Sequence, residues 1–159
     1  MPASEDAAYR AVCALLEAVW ETDPTQDWVI STESGDKKIK GVPIQFPNRP
    51  DIRQQGRRGT TDQPFSWAQF RWQPATGLES IGQTSAFQEG LITLEIHVPA
   101  GKGMTIANAL VTVARSAFLR KSFPGGGCFY DFRSREVGQV EGVFYRKDFQ
   151  AKYRFNEVV

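Results

Sequence analysis

Between Val143 and Phe155 the chain alternates for about 13 residues: Val143, Tyr145, Phe149, Ala151, Tyr153 and Phe155 fall on one side, and Arg146, Asp148, Gln150, Lys152 and Arg154 on the other. Successive side chains of a strand point to opposite faces, so a period of two fixes this segment as β, with one apolar and one charged face. At about 3.3 Å per residue it would run roughly 43 Å, more than twice the length of a common strand. Either it bends within its sheet, or its tip projects as an arm toward another molecule.

Other segments build the frame around it. Gly90, Ile92, Leu94, Ile96 and Val98 alternate with Thr93, Glu95 and His97, the pattern of a half-buried antiparallel strand. His97, the sole histidine, falls on the wetter face and reads as a surface or interface residue. "FSWAQFRW" sets Ala68, Phe70 and Trp72 opposite Trp67, Gln69 and Arg71. "CFYDFRSREV" and the closing segment form a strand pair around "GQVEG".

Two helices are expected. Ser4 can cap the first, with Glu5 and Asp6 near its positive end and Ala8, Val12, Leu15, Leu16 and Val19 along one face, until "ETDPTQ" ends it. In the second, Ile106, Leu110, Val113 and Ala117 form one stripe and Ala107, Val111, Ala114 and Phe118 another beside it. Together they cover roughly 200° of arc, against about 100° for a helix lying on a single core. One sheet cannot cover that, so the N-terminal helix or a neighbouring subunit must take the second stripe. The expected fold is α/β of the α+β kind: a mostly antiparallel sheet of about four to six strands packed with two main helices. A length of 159 residues suits a single domain over residues 1–159.

From Glu33 to Pro64 neither period holds; after the short strand "WVIST", most of this stretch reads as a long, exposed basic loop suited to contacting a partner. Charge is also uneven. Residues 1–35 carry seven acidic and one basic side chain, a balance of −6, whereas residues 36–58 carry seven basic and two acidic, +5. Residues 115–154 carry nine basic and four acidic, again +5. Such polarity could orient a subunit against an acidic neighbour or a nucleic acid.

Chemistry is sparse. "LEIHVPAGKGMT" has the strand, turn and helix layout of a phosphate-binding loop, but Ile96 stands where the first glycine belongs and Gly103 replaces the magnesium-binding hydroxyl. The turn is better explained by geometry, Pro99 ending the ladder and Gly101 and Gly103 permitting the reversal. His97 has only Thr93 and Glu95 near it in sequence, too little for a catalytic triad, and Cys13 and Cys128 are too far apart for a redox motif. No enzyme activity, metal or cofactor is expected. No apolar run approaches the roughly 20 residues of a membrane span, and "MPASEDAAYR" lacks the order of a signal peptide, so a cytoplasmic origin is expected. The basic and aromatic residues of "VFYRKDFQAKYRF" leave a nucleic-acid-binding module as an alternative, although the alternation sends aromatics and charges to opposite faces.

The succession "WAQFRWQ", "SIGQTSAFQEGLITLEIHVPAGKGMTIANALVTVARSAF" and "GVFYRKDFQAKYRFNEV" resembles the tail terminator-like proteins of long-tailed bacteriophages. The most diagnostic part is the strand ending in Val98, Pro99, Ala100, Gly101 and Gly103 and leading directly into an alanine-rich helix; Gly142, Phe144, Tyr145, Tyr153 and Phe155 support it. The resemblance covers about residues 65–158, and the basic stretch before it is longer than the family pattern. It implies a virion subunit, made in the host cytoplasm, that assembles into a ring, typically of six copies, on the head-proximal end of the tail tube. Such a ring stops tube polymerisation and meets the head-completion and neck proteins, while DNA passes through without sequence-specific binding. Another neck or connector protein is a second alternative. For this role the expected partner-contact residues are Arg49, Arg53, Arg57 and Arg58, and the expected subunit interface comprises Ala107, Val111, Phe118, Arg146, Asp148, Lys152 and Arg154.

Overall fold

A computed structural model describes residues 3–47, 49–52, 65–75, 85–101, 104–140 and 142–158. Helix α1 (Glu5–Glu17) starts where Ser4 Oγ accepts the Ala7 amide proton at 3.1 Å, which satisfies a backbone donor the helix cannot use itself. It buries Ala8, Val12, Cys13 and Leu16. The helix ends before Val19, which is exposed rather than on the buried face, and the Trp20 indole then donates to the Val42 carbonyl at 2.7 Å.

Strands β1 (Asp27–Thr32) and β2 (Gly35–Lys40) form a separate hairpin. The main sheet contains β3 (Ile44–Gln45), β4 (Trp67–Pro74), β5 (Ser85–Pro99), β6 (Ser122–Phe123), β7 (Gly127–Val140) and β8 (Phe144–Val158), with α2 (Met104–Phe118) between β5 and β6. Its order is β3-β4-β5-β8-β7-β6; β3 pairs parallel to β4, and every other pairing is antiparallel. The fold is α+β, with two helices and a mostly antiparallel, curled sheet.

Register explains the core. Phe70, Leu94 and Phe149 lie side by side across β4, β5 and β8, as do Trp72, Ile92 and Ala151. These rows meet the buried residues of α1 and α2 in one apolar cluster. Both stripes of α2 are covered within the chain, because the helix packs against β8, β5, β7, β1 and α1 together. Of the two ways to cover the helix, the chain uses its own N-terminal elements.

Three expectations need correction. The described part of the stretch from Glu33 to Pro64 is not mostly exposed loop, since it holds β2 and β3 and buries Val42, Ile44, Phe46 and Ile52; residues 48 and 53–64 lie outside the described residues. The long β8 does not stand out as a bare arm, since β5 flanks it from Ser85↔Val158 to Pro99↔Phe144 and β7 flanks its other edge. Finally, β5 is not wet on its second face, because Thr93, Glu95 and His97 are 4%, 4% and 6% exposed.

Candidate functional site

The sheet has two faces, and within the described residues the helices cover only one. On the other, Gln69, Glu95, Asp148 and Arg135 form a row across β4, β5, β8 and β7. Glu95 and Asp148 are direct cross-strand partners, and two carboxylates in that position repel unless cations lie between them. Arg146 provides the link: its Nη2 lies 2.7 Å from Glu95 Oε2, and its Nε and Nη2 donate to Asp148 Oδ1 and Oδ2 at 2.8 and 2.9 Å. Arg135 adds a bond to Asp148 Oδ2 at 3.1 Å, and Arg71 Nε contacts the Glu95 carboxylate at 3.1 Å.

Burial is unequal within this network. The Asp148 and Glu95 side chains are 0% and 6% exposed, whereas those of Arg146, Arg71 and Arg135 are 23%, 48% and 63% exposed. Hydrogen bonding to Asp148, followed by the charges of Asp148 and Glu95, raises the Arg146 guanidinium further above its ordinary value against the opposing effect of burial. Three guanidiniums against two carboxylates leave one positive charge in excess. A second group lies further along: Asp131 accepts from Arg133 at 2.9 Å and contacts Lys152 at 3.1 Å, and those bonds lower its pKa.

The expected interface residues divide accordingly. Ala107 and Phe118 are 0% and 1% exposed in the chain's own core, and Phe118 packs on Phe129 and Phe149, so neither can face a neighbour; Val111 is half-buried against the same core. Asp148 is likewise buried and acts through the arginines that hold it. Arg146, Lys152 and Arg154 do reach solvent; Arg154 donates to Cys128 Sγ at 3.3 Å and lies over the Tyr130 ring. Arg49 pairs with Glu17 at 3.1 Å and stacks on Phe46, while Arg53, Arg57 and Arg58 lie outside the described residues. Asp27 similarly takes Lys38 and Lys40, so much of the charge polarity along the chain is neutralised inside the fold.

Sequence reasoning missed Glu95, Arg71 and Arg135, because a strand's period gives the face but not the register that brings four strands into one row. His97 is not on a wet surface either: its ring stacks on Trp67 with centroids 3.9 Å apart and meets Phe144 edge-on. Among the described residues no three His, Cys, Asp or Glu side chains group as a metal site, and no helix is long and apolar enough to cross a membrane.

No family model and no curated protein matches this chain. A solved structure whose name carries no functional term matches 72% of this chain and 79% of its own at 13% identity, with a TM-score of 0.50. That is a likeness of fold alone.

Proposed function

We propose that this chain is a tail terminator-like ring protein of a long-tailed phage, whose copies join head to tail on the head-proximal end of the tail tube, end its polymerisation and offer a surface to the head-completion proteins. The observation that supports this reading is the sheet face turned away from the helices, where partly exposed Arg71, Arg135, Arg146 and Lys152 surround carboxylates that are already satisfied. A guanidinium has five donors, so an arginine engaged on one side keeps others for an acidic or carbonyl-rich partner surface. In a ring, one patch meets a different patch on the next copy. The contact surface therefore belongs on the sheet, not on α2, which the chain covers itself.

Sedimentation and negative-stain microscopy test the proposal. A mass several times 17.8 kDa at high protein concentration or on purified tail tubes is expected, and added salt should weaken the contact. Particles that stay single at every concentration, with and without tubes, remove it. A monomer that binds single-stranded DNA with a steep salt dependence would instead favour a nucleic-acid-binding role.

A further inference from the structure

Among the described residues, strand β4 is bordered on its outer side only where β3 pairs with Ala68 and Gln69, after which the chain turns away through Phe46 and Pro47. The Ala68 amide donates to Pro43 on that outer edge at 2.9 Å, and the Ala75 amide donates to Glu89 on the inner edge at 2.8 Å. Backbone groups alternate between edges along a strand, so Trp72 presents its N–H and C=O outward, past the end of β3. A bare strand edge of this kind is a template for a further strand.

Two hollows meet at this edge. One, of about 350 Å³, runs beside Gln69 to Gln73 under Phe46 and Pro47. The other, of about 300 Å³, is bounded by Pro47, Trp72, Tyr9, Glu5 and Asp6, so the two share Pro47 and Trp72. Trp72 is held firmly: it stacks on Tyr153 with centroids 3.9 Å apart, meets Tyr9 edge-on at 5.7 Å, and donates its indole proton to Glu5 Oε1 at 3.3 Å. Asp6 shares its charge with Arg10, whereas Glu5 has no cation beside it among the described residues. The partial positive charge at the start of α1, about half an elementary charge, is smaller than that of the two carboxylates it adjoins.

We propose that this groove binds an extended segment of a partner protein that carries an arginine or lysine. The segment's backbone adds to the β4 edge at Trp72. Its residue opposite Trp72 shares that side chain's face and so directs its cation toward Trp72 and Tyr9, below Glu5 and Asp6. This assignment stands independently of ring formation.

The test uses the whole, isotope-labelled chain and the peptide acetyl-Thr-Val-Arg-Val-Thr-amide, followed by NMR. Saturable shifts of the Trp72 indole and backbone amide are expected. Replacing the peptide's arginine with citrulline, or using the folded double variant Glu5→Gln/Asp6→Asn, should weaken binding about fivefold or more. N-methylation of the peptide's arginine and both valines should abolish it, since whichever of these amides faces β4 forms the new ladder. Three results would overturn the proposal: no saturable shift at Trp72 up to about 10 mM peptide, equal affinity for the citrulline peptide, or Trp72 signals that move with protein concentration alone, which would mean that a second copy fills the groove.

Discussion

The two faces of the main sheet are built on opposite terms. The helix-covered face closes with Phe70, Leu94, Phe149 and their neighbours, gaining roughly 25 cal/mol for each Å² of apolar surface removed from water. The open face is closed by charge: two buried carboxylates are satisfied by arginines whose far sides remain in solvent. One face is complete in itself, while the other is satisfied but still reachable. Stability and recognition are thus assigned to different sides of the same strands, and substitutions should separate them.

The strongest way to break this contrast is Phe118→Ala, which should cost about 3–5 kcal/mol in denaturant unfolding, the usual range for truncating a buried aromatic. A loss under about 1 kcal/mol would mean that α2 is not wrapped as described. Asp148→Ala comes next, at about 2 kcal/mol; a fully buried ion pair would lose more when broken, but here the stranded arginines can turn to water. Arg135→Ala combined with Lys152→Ala should change stability by only about 0.5 kcal/mol, yet reduce the assembled mass seen in sedimentation. Loss of folding in that double variant would mean that the open face is structural after all. Neutralising Arg53, Arg57 and Arg58 together should leave the thermal midpoint in place and weaken docking to a partner.

The ionisable groups sharpen the contrast more gently. Burial pushes the Cys13 thiol up to about 11, so at pH 8 a thiol reagent should modify Cys128 well before Cys13. Because that pKa is raised on folding, its contribution to stability is complete below the unfolded thiol value and is lost as pH climbs toward 11. Asp131 behaves in the opposite sense. Hydrogen bonds from Arg133 and then Lys152 depress it, so its contribution is present above the ordinary aspartate range and is lost as pH falls through its lowered folded value. An NMR titration of the Asp131 carboxyl should find it below the model-peptide value.

Much of the framework was legible in the sequence because period alone encodes it. The alternation of β5 and β8 and the cap at Ser4 announced their elements, and the breadth of the α2 stripe correctly signalled a second covering layer. What covers it was not legible. In β2, "GDKKIK", only Ile39 turns inward, and the strand is held by Asp27 meeting Lys38 and Lys40 across the hairpin, so no hydrophobic alternation betrays it. The open-face network was hidden for a related reason: Arg71, Glu95, Arg146 and Arg135 lie on four strands, and their meeting depends on pairings far apart in sequence. His97 misled because polarity was equated with exposure, whereas Trp67 and Phe144 enclose its ring.

The direct apposition of Glu95 and Asp148 also constrains how this protein can vary over time. A lineage that exchanged Arg146 for an uncharged side chain would keep two anions facing each other with less to reconcile them. Descendants should therefore retain the trio intact or surrender the arginine and a carboxylate in the same episode, a correlated inheritance that single-site drift would rarely cross.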